Sequence, residues 1–225
     1  MNPRCGIRQR VLVLVLASTL LAVGMSRVSE AQAKLTPTQV VVDVLDTVKE
    51  IKKSDADESV VLTPEERKRN GQLSRRVNSM LDIRGISEYA LVQHWEEQDP
   101  QGRTTFVSLF TELLEKVAYT NAGTFLQDLS VSVRKEKVLS DKAMVYTSVF
   151  HEEEGRIDID FKLCHLEDSW LVQDIYLDGV SLARNLRTQC LKIIRDHSFQ
   201  ELLARMREKI EEEDTEDLKE VTGRN

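Results

Sequence analysis

Three cysteines in 225 residues, Cys5, Cys164 and Cys190, lie too far apart to supply zinc-ligand spacing. The four histidines are scattered, so no metal site can be read from them either. Glycine numbers nine, with no Gly-rich phosphate loop and no nucleophile elbow. Positive charge is in deficit, 31 Lys and Arg against 38 Asp and Glu, for a formal net charge of −7. That balance argues against nucleic acid and against tight electrostatic adsorption on anionic lipid. Beyond the N-terminus no segment approaches the roughly 20 apolar residues of a membrane span. What remains is one sizeable domain with a real core.

The first thirty-odd residues read as an export leader. Arg4, Arg8 and Arg10 form a basic start, Val11 to Val23 an apolar run, and Ala31-Gln32-Ala33 a small-residue cleavage site. Cys5 precedes the apolar run, which excludes lipoprotein acylation there. Cutting after Ala33 removes four arginines and Glu30, and the formal charge falls from −7 to −10. The expected organisation is a signal peptide over 1–33, one domain over 34–210 and an acidic flexible tail over 211–225. The expected location is beyond the membrane that the leader crosses.

Proline is scarce, and three of the four mark helix starts. Thr36-Pro37, Thr63-Pro64 and Asp99-Pro100 each place a capping side chain before a proline at the first helical position. Gln39 and Glu66, three residues after their threonines, complete capping boxes. Lys52 to Ser59 is polar and aperiodic and reads as a connector. The helix from Pro100 carries Phe106, Leu109, Phe110, Leu113, Leu114 and Val117 at helical spacing, so one face must be buried. These helices fill about 34–127.

After Ala122-Gly123 the period becomes two. Val131 and Val133, Met144 to Phe150, Ile157 to Leu163 and Trp170 to Tyr176 predict four strands over about 128–177, joined by short polar hairpins. The third strand sets Ile159 and Phe161 on one face against Asp158, Asp160 and Lys162 on the other, so one side is covered. Two helices over about 181–210 close the domain. One has the stripe Leu182, Leu186, Cys190, Ile193 and Ile194; the other, capped by Ser198, has Phe199, Leu202, Leu203, Met206 and Ile210. This order predicts an α+β fold: a four-stranded curved antiparallel sheet covered on one face by helices, with an added N-terminal helical part.

The most specific stretch is Val172 to Gln189, VQDIYLDGVSLARNLRTQ, in which a strand ends in Asp178-Gly179 and Ser181 opens a helix. It resembles the signature of the MlaC family, also called the toluene-tolerance or ABC-transporter auxiliary family. Asp82 to Trp95 (DIRGISEYALVQHW) is similar to a helical block of that family. Pro100 to Asn121 looks like its long helix, and Lys142 to Val149, Ile157 to Leu163 and Trp170 to Ile175 match its strands in order. Where the family pattern has a tyrosine and a phenylalanine, this chain has Leu186 and Cys190. The exchange of aromatics for smaller groups is expected to widen or reshape the pocket.

The resemblance implies a nuclear-transport-factor-like sheet and helix roof that hold phospholipid tails between them, with the head group outside. It implies no catalytic residues, no metal and no cofactor beyond the lipid cargo. The expected partners are an inner-membrane ABC transporter complex and an outer-membrane lipoprotein or porin complex, for a monomeric carrier that the resemblance places in the periplasm. Expected cavity residues are Phe106, Phe110, Leu113, Leu114 and Val117 from the long helix, and Val180, Leu182 and Leu186 after the sheet. From the sheet come Val131, Val133, Val145, Val149, Ile159, Phe161, Leu163, Val172 and Ile175. The same spacing also suits a solid core, because periodicity shows burial and not emptiness.

Other readings stand beside this one. An enzyme on the same fold would use His94, His151, His165, His197, Asp174 or Tyr176, whereas each also has a structural role open to it, Asp174 as an acceptor for backbone or arginine. A hopanoid-type lipid is an alternative cargo. Arg67, Lys68, Arg69, Arg75 and Arg76 form either a docking face or a solvated face balanced by Glu65 and Glu66. Cys164 and Cys190 are either free or bridged.

Overall fold

The computed structural model describes residues 35–53, 62–151 and 155–222. The leader and residues 54–59 of the connector lie outside the described residues.

Each threonine-proline or aspartate-proline pair opens a helix. α1 (Pro37–Lys49) and α2 (Pro64–Asn78) start with complete capping boxes at Thr36 and Thr63. Asp99 accepts the Gly102 N–H at 2.7 Å to start α5 (Pro100–Leu113). Between them run α3 (Ile83–Leu91), capped by Asp82, and the short α4 (Gln93–Glu97). The break between α3 and α4 is Val92, whose φ of 52° is a costly left-handed backbone for a β-branched residue. After α5 the helix continues through a π-turn (Leu114–Ala118) into α6 (Tyr119–Leu126).

The sheet is antiparallel, with strands in sequence order: β1 (Val131–Leu139), β2 (Lys142–His151), β3 (Gly155–Leu166), β4 (Ser169–Leu177) and β5 (Val180–Ser181). It has five strands where the sequence pattern predicts four. The fifth is two residues long, too short to show alternation, and Ser181 also caps the next helix. A further segment joins the β4 edge: Val172 N–H donates to Met80 O and Asp82 N–H to Val172 O, each at 2.9 Å. Across the sheet Val145 faces Phe161, and Phe161 faces Ile175. α7 (Leu182–Asp196) and α8 (Phe199–Thr222) follow. α8 is 24 residues long and passes Ile210, where the apolar period ends and the acidic tail was expected to begin.

The apolar side chains gather in two cores. On the sheet side, α1 lays Val40, Val41, Val44, Leu45 and Val48 over Val145, Val149, Phe161, Leu163 and Val172, all nearly inaccessible. On the helix side, Phe106, Leu109 and Phe110 of α5 pack with Leu91, Trp95, Cys190, Leu202, Leu203 and Met206. α6 reaches back to the first core. There Gly123 lies so close to α1 that a Cβ would stand 2.5 Å from Ile51 O and 2.8 Å from Val48 O, which explains why no side chain is present.

Candidate functional site: an apolar cavity among three helices

The helix-side core is open on one flank. A cavity of about 470 Å³ opens between α5 with its π-turn, α7 and α8. Each helix contributes residues at positions i, i+3, i+4 and i+7: Phe110, Leu113, Leu114 and Val117; Leu186, Gln189, Cys190 and Ile193; Leu202, Arg205, Met206 and Lys209. Ala118 completes the lining. The cavity lies within the roughly 300–1,000 Å³ range of small-molecule sites.

Local chemistry fixes each wall. The Asp174 carboxylate accepts Ser181 Oγ–H at 2.6 Å and Ala183 N–H at 3.0 Å, while Ser181 Oγ accepts Arg184 N–H at 3.0 Å. This ties the start of α7 to β4 and gives Asp178-Gly179 and Ser181 of the signature their structural work. Both turn residues have positive φ, 47° and 80°. Ser198 Oγ accepts Glu201 N–H at 3.1 Å and starts α8. On the first wall the Tyr119 N–H donates to Leu114 O, five residues back, which defines the π-turn.

Burial grades the lining from floor to rim. Phe110, Cys190, Leu202 and Met206 are buried; Leu113, Leu114, Val117, Leu186 and Ile193 are half-buried; Ala118, Gln189, Arg205 and Lys209 are exposed. The exposed members therefore mark the mouth. At the rim Arg205 pairs with Glu201 at 2.8 Å, and Lys209 with Glu213 at 3.1 Å and Glu212 at 3.3 Å. Burial pushes the Cys190 thiol up to about 11, so it lies protonated and apolar on the floor. Among the described residues no carboxylate or histidine lines the cavity. Its chemistry is shape and apolar surface, with cations at the opening.

The family model for the MlaC protein matches residues 39–208. The chain belongs to the MlaC family. Among solved structures it is similar in fold to the phospholipid-binding protein of Ralstonia solanacearum, solved in complex with a phospholipid. The TM-score is 0.61 at 17% identity, over 78% of this chain and 95% of that one. No curated protein matches.

In this MlaC-family chain the residues expected on the cavity divide three ways. Phe110, Leu113, Leu114, Val117 and Leu186 come together on its wall, whereas Phe106 stands behind it, stacked on Phe110 at 6.3 Å. Val145, Val149, Ile159, Phe161, Leu163 and Val172 are instead packed in the sheet-side core, with Val131 and Ile175 against it. The reason is α1, whose apolar face fills the space over the sheet. Val133, Val180 and Leu182 are 41%, 52% and 45% exposed and meet neither core. Cys190, Ile193, Leu202 and Met206 also line the cavity, from helix stripes that the sequence shows as apolar but not as facing open space. The departures from the family pattern, Leu186 and Cys190, both fall on the wall.

The groups weighed for catalysis have other partners. His94 Nδ1 meets Glu97 at 2.6 Å, His165 packs edge-on against Trp170 at 4.9 Å, and His197 Nε2 meets Arg205 at 3.2 Å. The side chain of His151 lies outside the described residues. Tyr176 is pushed above its ordinary value by burial and by Asp174. Among the described residues no group of three metal-ligating side chains occurs. Cys164 and Cys190 are free and buried; Cys164 is pushed up to about 11 by burial and by Asp82, whose carboxylate lies 3.7 Å from its sulfur. Of the basic residues on α2, Arg69 pairs with Glu50 and Arg76 with Asp43.

Proposed function

We propose that this protein is a periplasmic lipid carrier, without catalytic residues or a cofactor, that shelters phospholipid acyl chains in the cavity between α5, α7 and α8. The observation that carries the proposal is a roomy apolar cavity, open at one end, in a chain of the MlaC family. The head group stays at the mouth near Gln189, Arg205 and Lys209. The similarity to a lipid-bound phospholipid-binding protein supports the same reading. The carrier works as a monomer, receiving and delivering cargo at an inner-membrane ABC transporter complex and an outer-membrane lipoprotein or porin complex.

Energetics suit a shuttle. Burying a methylene is worth about 0.8 kcal/mol, so sequestering about 17 methylenes, roughly what the cavity of about 470 Å³ holds, approaches about 14 kcal/mol relative to water. That lies below the practical ceiling of roughly 18–21 kcal/mol for non-covalent binding and still makes escape into water rare. Delivery into another apolar environment returns the same free energy, and direction comes from the partners. The test is organic extraction of the purified protein followed by mass spectrometry. Diacyl lipid near one molecule per chain supports the carrier; reproducible absence after purification without detergent overturns it, and a hopanoid in the extract would change the cargo class.

A further inference from the structure

From Pro100 to Leu126 the chain is one helix interrupted once, by the π-turn at Leu114–Ala118. A π-turn inside an α-helix holds one residue more than the α repeat, and it tends to occur where function needs it. Phe110 before it and Tyr119 after it are buried, yet no residue within the turn is. Leu114 and Val117 are apolar, half-buried and on the cavity wall, Leu114 also packing against both cores. They line the cavity at the one place where an extra residue widens the helix.

The opposite side of the turn is clamped. Asn78, the last residue of α2, donates its Nδ2 to Glu115 Oε1 at 2.6 Å and accepts the Tyr119 hydroxyl proton at 2.8 Å. A single amide thus grips the turn near both ends. Burial and the neighbouring Glu115 push the Tyr119 hydroxyl upward, so it remains a donor.

We propose that the π-turn is the element that keeps the cavity open, and that Asn78 and Glu115 are its positioning residues. Without the extra residue the helix returns to α geometry, and Leu114 and Val117 close into the hollow. This deepens the carrier reading and rests on it for the identity of the occupant, but not for the existence of the space.

The test compares four forms purified without detergent: wild type, deletion of Ala118, Glu115→Ala and Glu115→Gln. Each is scored for extractable diacyl lipid per chain, uptake of the apolar dye N-phenylnaphthylamine after delipidation, and thermal midpoint. Deletion of Ala118 and Glu115→Ala are expected to weaken dye binding after delipidation at least about tenfold, the loss expected from forfeiting burial of two methylenes, and to lower the lipid load. Glu115→Gln keeps an acceptor for Asn78 and loads like wild type. A folded deletion variant with wild-type load and dye uptake overturns the proposal. Should the deletion not fold, equal loads in Glu115→Ala and Glu115→Gln overturn it instead. If wild type carries no lipid, the carrier reading falls; dye binding by wild type and not by the deletion or Glu115→Ala then upholds the π-turn, and equal binding rejects it.

Discussion

Leu163 and Leu113 are the same residue in two kinds of interior. Leu163 points from β3 into a core closed by α1 and has no accessible surface, whereas Leu113 points from α5 into open space and stays half-buried. Both occur in apolar stripes of the proper period. The difference lies in what stands opposite. Facing the sheet is a helix supplying Val40, Val41, Val44, Leu45 and Val48; facing Leu113 are α7 and α8, held apart with shorter groups such as Leu186 and Cys190 between them. A fold can thus keep one region rigid and dense while another remains unfilled, provided that separate elements build the two.

The largest effect expected from this contrast is in paired leucine substitutions. Leu163→Ala should destabilise by about 2–5 kcal/mol, the usual cost of a new cavity in a packed core, and Leu163→Trp by about 1–3 kcal/mol or more through overpacking. Leu113→Ala should cost less, about 1 kcal/mol, because the side chain is only half-buried against its core. Leu113→Trp should leave the delipidated protein folded and remove its lipid. Urea unfolding of the four delipidated variants checks this, and equal losses at the two positions would erase the distinction between the cores.

A smaller effect should appear in thiol chemistry. Both cysteines are protonated at neutral pH, with values raised to about 11, so both react slowly with maleimide. In delipidated protein an apolar maleimide should label Cys190 several-fold faster than Cys164, since the first lies on the cavity floor. Lipid loading should abolish that advantage. Mass spectrometry of labelled peptides reads it directly, and equal rates with or without lipid would place the cargo elsewhere.

The smallest effect concerns Glu66, away from both cores. The hydrogen bond from Lys52, followed by those of the Thr63 cap, lowers its carboxyl from 4.5 to about 2. Its contribution is therefore complete above about pH 4.5 and is lost as pH falls toward 2. Glu66→Gln, which retains the capping box, should flatten that acidic limb of the stability curve and leave neutral stability and lipid load nearly unchanged.

Much of the framework was legible because its signals are local. A capping side chain before a proline needs no tertiary information, and Thr36, Thr63 and Asp99 begin the helices that their sequences specify. Strand alternation placed Ile159 and Phe161 on one covered face. β5 escaped notice because a two-residue strand has no period. The cavity was harder to read. Phe110, Leu113, Leu114, Val117 and Leu186 could be named from helix faces, but the sheet residues assigned with them, Val145 or Phe161 for example, have the same pattern whether a ligand or α1 covers them. Telling those cases apart requires knowing which helix lies over which face. The π-turn is equally silent, since an inserted residue leaves composition and caps unchanged.

The occupied outer side of β4 limits how copies of the protein can associate. With Val180 and Ser181 bonded along one stretch and Met80 to Asp82 along another, β4 offers little free backbone, which leaves β1 as the open margin of the sheet. An object with a single adhesive side can form a pair at most; it cannot seed a filament. Even pairing is discouraged, because four consecutive charged side chains, Arg134, Lys135, Glu136 and Lys137, occupy β1. The way its sheet is finished thereby guards the protein against fibrous aggregation.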